Sequence, residues 1–282
     1  MKNKILLLGS MGLVGTSFEY CLNYRDVEYL ALSHSDFDLA YPYPELSKTF
    51  AFFEPNIVIN CVGVVGVNPC CFNPVRAKEV NIRGVEILIE LCNKYNSILV
   101  QISTHSVFDG TKDKYYIETD VPNPINMYGR TKYEAEKIVE NYDKYYIFRF
   151  PTLFGIRRKG RVGFPTKLID DLRDGKSIVV SEEKVDSPSY SMDVAAMALH
   201  IIRERLPFGV YHIANQGDVN YFTFFNEVLS NLPFSNLISV KPEKEFNSPE
   251  PNPIFTPLDS VKIGHLRPWY EALGDFLYGY IL

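Results

Sequence analysis

Short, nearly unbroken apolar runs punctuate the first half of the chain at residues 5–8, 29–32, 57–61, 98–102 and 146–150. Continuous hydrophobicity over so few residues, with no polar alternation, marks strands buried on both faces, as in parallel sheets. Between the runs lie stretches with helical spacing at about 13–24, 45–53, 74–95 and 126–141. The third has its own start signal, Asn73 as N-cap followed by Pro74 at the first helical position. Strand–helix alternation of this kind predicts an α/β, doubly wound parallel sheet with helices on both faces.

Past residue 150 the texture changes. A basic loop, I-R-R-K-G-R-V-G at 156–163, precedes a helix expected near 164–174, and further helices are expected at 192–205, 222–232 and 269–280. Prolines crowd residues 233–268 and imply an irregular, turn-rich segment. The expected division is therefore a nucleotide-binding domain over 1–150 and a smaller substrate-binding lobe over 151–282, with residues 192–215 returning to the sheet.

Composition narrows the class. The chain has 282 residues, 46% hydrophobic and 22% charged, a globular balance. Its formal net charge of −5 supplies no general field for nucleic acid or an anionic membrane, so an anionic ligand must be held by local groups. The five cysteines form no C-x-x-C pair and read as reduced thiols, and the five histidines are scattered, so no metal site is expected. The apolar start stops at a glycine-rich turn, and no run approaches the ~18–20 residues of a membrane helix. A soluble cytoplasmic protein without nucleic-acid or membrane partners is expected; assembly as a homodimer is left open.

Directly after the first run comes Gly9-Ser10-Met11-Gly12-Leu13-Val14-Gly15, a G-x-x-G-x-x-G turn opening the first helix. Glycine is required there for the tight turn, for backbone approach to a pyrophosphate and for helix–strand packing, while the helix N-terminus favours phosphate. Strand, motif and helix in this order predict a Rossmann dinucleotide site. An NAD-selective site usually keeps an acid at the end of the second strand; here Ser33, His34 and Ser35 occupy that place, with Asp36 and Asp38 close by and no arginine in the segment. The balance leans to NADPH, with NADH as the alternative.

Tyr128 and Lys132 form Y-x-x-x-K. Four apart on a helix, they share a face, and an ammonium beside a phenol is expected to lower its pKa towards a usable acid–base. In a chain with 19 tyrosines the bare pattern is common. Its weight comes from its company: Ser103 and Thr104 end the fourth strand, at the edge where Rossmann ligands bind, and Thr104 is placed to hydrogen-bond a substrate oxygen as charge develops.

With these motifs the chain resembles the extended short-chain dehydrogenases/reductases, and within them the dTDP-4-dehydrorhamnose reductases and related nucleotide-sugar reductases. The resemblance rests on the glycine turn, S-D-F-D-L around Asp38, P-N-I-V-I-N-C at 55–61, V-N at 80–81 and I-S-T-H-S-V-F-D-G at 102–110. It rests further on E-T-D-V-P-N-P-I-N-M-Y-G-R-T-K-Y-E-A-E at 118–136, the most specific stretch, on I-F-R-F at 147–150 and on G-V-Y-H-I-A at 209–214. It implies NAD(P)H-dependent reduction of a nucleotide-linked keto-deoxysugar in surface-polysaccharide synthesis. Tyr128 would donate the proton, Lys132 would tune it and bind ribose, and Thr104 would orient the carbonyl. Gly9, Met11, Gly12, Leu13, Val14 and Gly15 would surround the pyrophosphate, and Asp38 and Leu39 the adenine. Cys61, Val62, Gly63 and Val64 would follow the third strand along the cofactor, with Ser103 beside them.

There are departures. The family's S-T-D-Y-V-F has His105 and Ser106 in place of the acid and the aromatic. The polar segment after the third strand has become Cys61-Val62-Gly63-Val64-Val65-Gly66-Val67-Asn68, and the late R-P-x-N-S-x-L is only echoed at 252–258, without its arginine. Expected substrate contacts are Thr104, His105, and Arg157, Arg161 and Phe164 of the basic loop, whose alternative is a solvated loop. For His105 a hydrogen bond to a loop carbonyl is the favoured alternative. The alternatives to a reductase are an epimerase of the same fold and a non-catalytic nucleotide-binding or regulatory subunit.

Overall fold

The computed structural model describes residues 4–281 apart from 24–26, 42–43, 157, 159–164, 233–237 and 245–247, with side chains as far as Gly279. The first half runs β1 (Lys4–Leu8), α1 (Leu13–Asn23), β2 (Glu28–Leu32), α2 (Glu45–Phe53), β3 (Ile57–Asn60), α3 (Val67–Phe72), α4 (Pro74–Lys78), α5 (Gly84–Tyr95), β4 (Ile98–Thr104), α6 (Met127–Val139) and β5 (Tyr145–Phe150). The remainder runs β6 (Leu153–Phe154), α7 (Thr166–Arg173), β7 (Ile178–Ser181), β8 (Val185–Asp186), β9 (Ser189–Tyr190) and α8 (Ser191–Arg203). It continues through β10 (Gly209–His212), β11 (Asn215–Gln216), β12 (Val219–Asn220), α9 (Tyr221–Ser230), β13 (Val240–Glu243), β14 (Leu266–Pro268) and α10 (Trp269–Ile281).

Six strands form one parallel sheet in the order β10-β5-β4-β3-β1-β2. Each run is largely apolar because alternate residues enter different layers. Leu6 and Leu8 join Phe50, Leu88, Ala135 and Val139 of α2, α5 and α6 on one face. Ile5 and Leu7 join Phe18 and Leu22 of α1 and Val194 and Ala198 of α8 on the other. The chain leaves β1 outwards to β2 and then crosses back to β3. The sheet's switch point therefore lies between β1 and β3, where ligands of open α/β sheets bind.

The expected helix at 74–95 departs from a regular α-helix at Glu79–Arg83, which forms a π turn. Its N-cap is as expected: the Asn73 side chain accepts the Arg76 N–H. The short α3 was not anticipated, because V-N-P-C-C-F has neither a side-chain cap nor two turns of periodicity. Part of the region expected to be irregular is paired: β13 lies parallel to β7, and Leu258 bridges Tyr116. A third core unites Phe154, Ile169, Leu172, Phe224, Phe225 and Phe276 from β6, α7, α9 and α10. Among the described residues no helix is long and apolar enough to cross a membrane.

One buried ion pair fastens α6 to β5. Glu136 and Arg149 meet at 2.7 Å with side chains 1% and 3% exposed. Arg149 also faces His212 Nε2 on β10 at 3.3 Å and lies 5.2 Å from the centre of the Phe108 ring. Arginine is always a donor, so Nε2 is the acceptor and the His212 Nδ1–H donates to the carbonyls of Tyr116 and Asp259, each at 3.0 Å. Removing one partner strands a buried charge: Arg149→Met should destabilise the fold by about 3–5 kcal/mol in urea unfolding. The double variant with Glu136→Met should recover most of that loss, and no recovery would mean that packing, and not the orphaned carboxylate, sets the cost.

Candidate active site

The glycine turn forms because β1 must hand over to α1 in four residues, Gly9 to Gly12. Gly9 takes φ +83°, and a Cβ there would lie 3.0 Å from the Cys61 carbonyl carbon. At Gly15 a Cβ would sit 2.2 Å from the Gly9 carbonyl oxygen, so this glycine serves the packing of helix on turn and does not line the groove. Gly12 differs. A Cβ there would meet only the Gly9 oxygen, at 3.4 Å, so protein packing does not demand glycine and the open side faces the groove. A cradle that a side chain would fill, at a helix N-terminus, fits a pyrophosphate.

The groove runs over the switch point, with a volume of about 280 Å³. Of the residues expected to hold a cofactor, Gly9, Met11, Gly12, His34, Asp38, Leu39, Cys61, Val62 and Gly63 line it, together with Val64. Leu13 and Val14 do not: the first is buried and the second packs into the core beneath α1. Ser33 is turned to Asp36, whose carboxylate accepts its N–H and hydroxyl at 2.7 and 2.8 Å. Ser103 is buried, and its hydroxyl donates to Glu136 beneath the site. Both serines are thus spent on protein partners.

Three groove residues were missed: Phe37, Val80 and Arg76. Arg76 comes from α4, outside the segment after β2 that holds no arginine, and pairs with Asp38 at 2.6 Å. Asn81 was missed as well. Within the π turn its Oδ1 accepts Val64 N–H at 2.8 Å and its Nδ2 donates to the Val64 carbonyl and Thr131 Oγ1, both at 3.0 Å. It ties the loop after β3 to α6. The V-N pair at 80–81 was the signal, but nothing local told what the amide would bond.

Tyr128 reaches Thr104 through a second close approach. Asn126 caps α6 by accepting the Gly129 N–H at 2.9 Å, and a Cβ on Gly129 would collide with the Ser106 carbonyl oxygen at 2.1 Å. Glycine here lets the helix lie on the turn after β4. The phenol faces the Thr104 hydroxyl, which favours the phenolate, yet burial dominates and pushes Tyr128 up to about 12. The expectation that the neighbouring ammonium draws the phenol down is therefore not met: burial sets the direction, and the lowering influence comes from Thr104. Lys132 Nζ donates to the Ile102 carbonyl at 2.6 Å and lies 4.0 Å from where a Gly63 Cβ would stand, at the groove wall. Burial lowers Lys132 to about 8, with Glu136 the leading charge opposing that fall. Val64 lines the groove and also packs against Tyr128 and Cys70, so phenol and groove share a wall.

His105 is buried, with Nδ1 3.3 Å from the Phe150 carbonyl and Nε2 3.6 Å from Asp186. Burial lowers its pKa, and its interior position matches the main-chain-bonded alternative better than substrate contact. Arg157, Arg161 and Phe164 lie outside the described residues. Arg158 of the same loop pairs with Glu19 and sits 3.2 Å from Met11 Sδ, over the glycine turn. The five cysteines form no disulfide with one another, and the described residues contain no metal-binding cluster.

This chain has clear relatives. A family model described as RmlD substrate binding domain matches residues 2–281. The dTDP-4-dehydrorhamnose reductase of Aggregatibacter actinomycetemcomitans is 30% identical over 297 residues, covering 96% of this chain and 97% of its own. Methionine adenosyltransferase 2 subunit beta of Xenopus tropicalis is 26% identical over 296 residues, covering 99% and 88%. A crystal structure of dTDP-4-dehydrorhamnose reductase from Bacillus anthracis in complex with NADP has a TM-score of 0.89 at 25% identity, covering 99% of this chain and 100% of that one.

The contact at Gly129 is testable on its own. Gly129→Ala forces α6 off the Ser106 carbonyl and should lower stability by about 1–3 kcal/mol in chemical denaturation. A neutral result would show that the helix does not rest on that turn.

Proposed function

Since the chain belongs to the RmlD substrate binding domain family, we propose that it is an NADPH-dependent reductase of a nucleotide-activated keto-deoxysugar of the dTDP-4-dehydrorhamnose type, as its relatives are named. The observation that carries this is the convergence of Thr104, Tyr128 and Lys132 beside a groove lined by Gly9, Gly12 and Gly63.

When bound, the nicotinamide supplies hydride to the keto carbon. Negative charge then grows on the carbonyl oxygen, and Tyr128 gives it a proton. A phenol held near 12 rests in its neutral form, the form a reduction consumes; an oxidation would begin from the phenolate. Thr104, against that phenol, orients the same oxygen, and the Lys132 ammonium supports the phenolate left after transfer. Residues 151–282 supply most of the sugar-nucleotide side.

The Xenopus tropicalis relative is named as a subunit of another enzyme, which supports a second, non-catalytic reading, since fold alone does not establish function. Retention of the phenol, hydroxyl and ammonium together favours turnover, because a binding module has no need of a buried acid.

NADPH oxidation against a panel of nucleotide keto-sugars separates the two. Tyr128→Phe should lower kcat about 10²–10⁴-fold with little change in NADPH affinity. Turnover indifferent to that change would sink the mechanism, and no turnover with any keto-sugar would favour the subunit. The pH dependence has a defined sign: Lys132 is charged below about 8 and loses its proton above it, so kcat should fall as pH rises through about 8. In Lys132→Met that step should vanish from the profile.

A further inference from the structure

Beyond β2 the groove is lined by His34, while the Ser33 hydroxyl bonds Ser35 and Asp36. Ser33, His34 and Ser35 stand where an NAD-selective site keeps its acid. The two carboxylates nearby are both occupied: Asp36 accepts the Ser33 N–H and hydroxyl, and Asp38 is held by Arg76. Arg76 does this through a single nitrogen. Nη2 donates to Oδ1 at 2.6 Å and to Oδ2 at 2.7 Å, so Nη1 and Nε keep their hydrogens without a partner among the described residues. Arg76, Asp38 and His34 all line the groove. A planar guanidinium with free donors, aimed by a carboxylate that it neutralises, bonds a phosphate dianion through paired, charge-assisted contacts and a lone hydroxyl only through a weaker single one.

We propose that Arg76 is the residue that selects NADPH over NADH: anchored by Asp38, its free nitrogens receive the 2′-phosphate on the adenosine ribose, with His34 beside it. This rests on the reading above that the groove holds a nicotinamide dinucleotide. It goes beyond that reading by assigning the preference to a side chain from α4, a helix outside the β1–α1–β2 unit that carries the glycine turn. The pair's side chains are 30% and 35% exposed, so replacing Arg76 should leave the fold intact.

Two half-cofactors, 2′,5′-ADP and 5′-AMP, isolate this end of the site from the chemistry. In titration calorimetry at fixed ionic strength the wild type should bind 2′,5′-ADP more tightly than 5′-AMP. Arg76→Leu should weaken 2′,5′-ADP about tenfold to a hundredfold while 5′-AMP changes far less, and Arg76→Lys should fall between. Equal affinities in the wild type, or equal losses for both ligands in Arg76→Leu, would overturn the assignment. Binding of neither ligand by the wild type would remove the nucleotide groove and this assignment with it. Selective 2′,5′-ADP binding with no turnover of any keto-sugar would uphold Arg76 and discard only the reductase.

Discussion

A carboxylate and a guanidinium taken out of water are tolerated only when their geometry and remaining hydrogen bonds offset the loss of hydration. In this protein Glu136 and Arg149 meet that condition. Arg149 approaches the carboxylate through both Nε and Nη2, and Ser103 donates to the same group. His212 accepts from the far side of the guanidinium. The pair does more than hold α6 on the sheet. Glu136 follows Lys132 by one helical turn, and its charge is the leading influence that keeps the buried ammonium protonated. Fixing the helix and charging the site are therefore one interaction, and Ser103 belongs to it rather than to the groove.

Around that anchor the site is assembled by close backbone approach. Gly15 lets α1 lie on the glycine turn and Gly129 lets α6 lie on the turn after β4. Asn81, brought round by the π turn, stitches the loop after β3 to α6 through Val64 and Thr131. These contacts bring together the ends of β1, β3 and β4, so groove and phenol share the wall formed by Val64. Glu118 extends the scaffold outwards: it accepts the main-chain N–H groups of His212 and Val261 at 3.0 Å, pinning a late segment against β10. That role gives a physical reason for an acid at the head of the 118–136 stretch.

Much of the Rossmann half was legible in the sequence. The five apolar runs are strands β1 to β5, because burial on both faces leaves few polar positions to blur them. The glycine turn and the Y-x-x-x-K pair were legible because each works over a few residues of one element. Less was legible where partners are distant. Strand β6 pairs with β9 and β7 with β13, each a short segment with no periodicity of its own. Arg76 is 38 residues from Asp38 and meets it only because the chain crosses back from β2 to β3. Ser33 and Ser103 carried the right hydroxyls in the right places, yet protein acceptors nearer than the groove took them.

The sequence by itself determined which segments form the first five strands of the central sheet, where the glycine turn lies and which phenol and ammonium share a helical face, since all of these follow from patterns within a single element. The tertiary structure alone decided the protonation of that phenol, the arginine that meets Asp38 and the carboxylate beneath the lysine. Desolvation and Coulomb attraction depend on what surrounds a group after distant segments have closed over it, and no spacing along the chain encodes that distance.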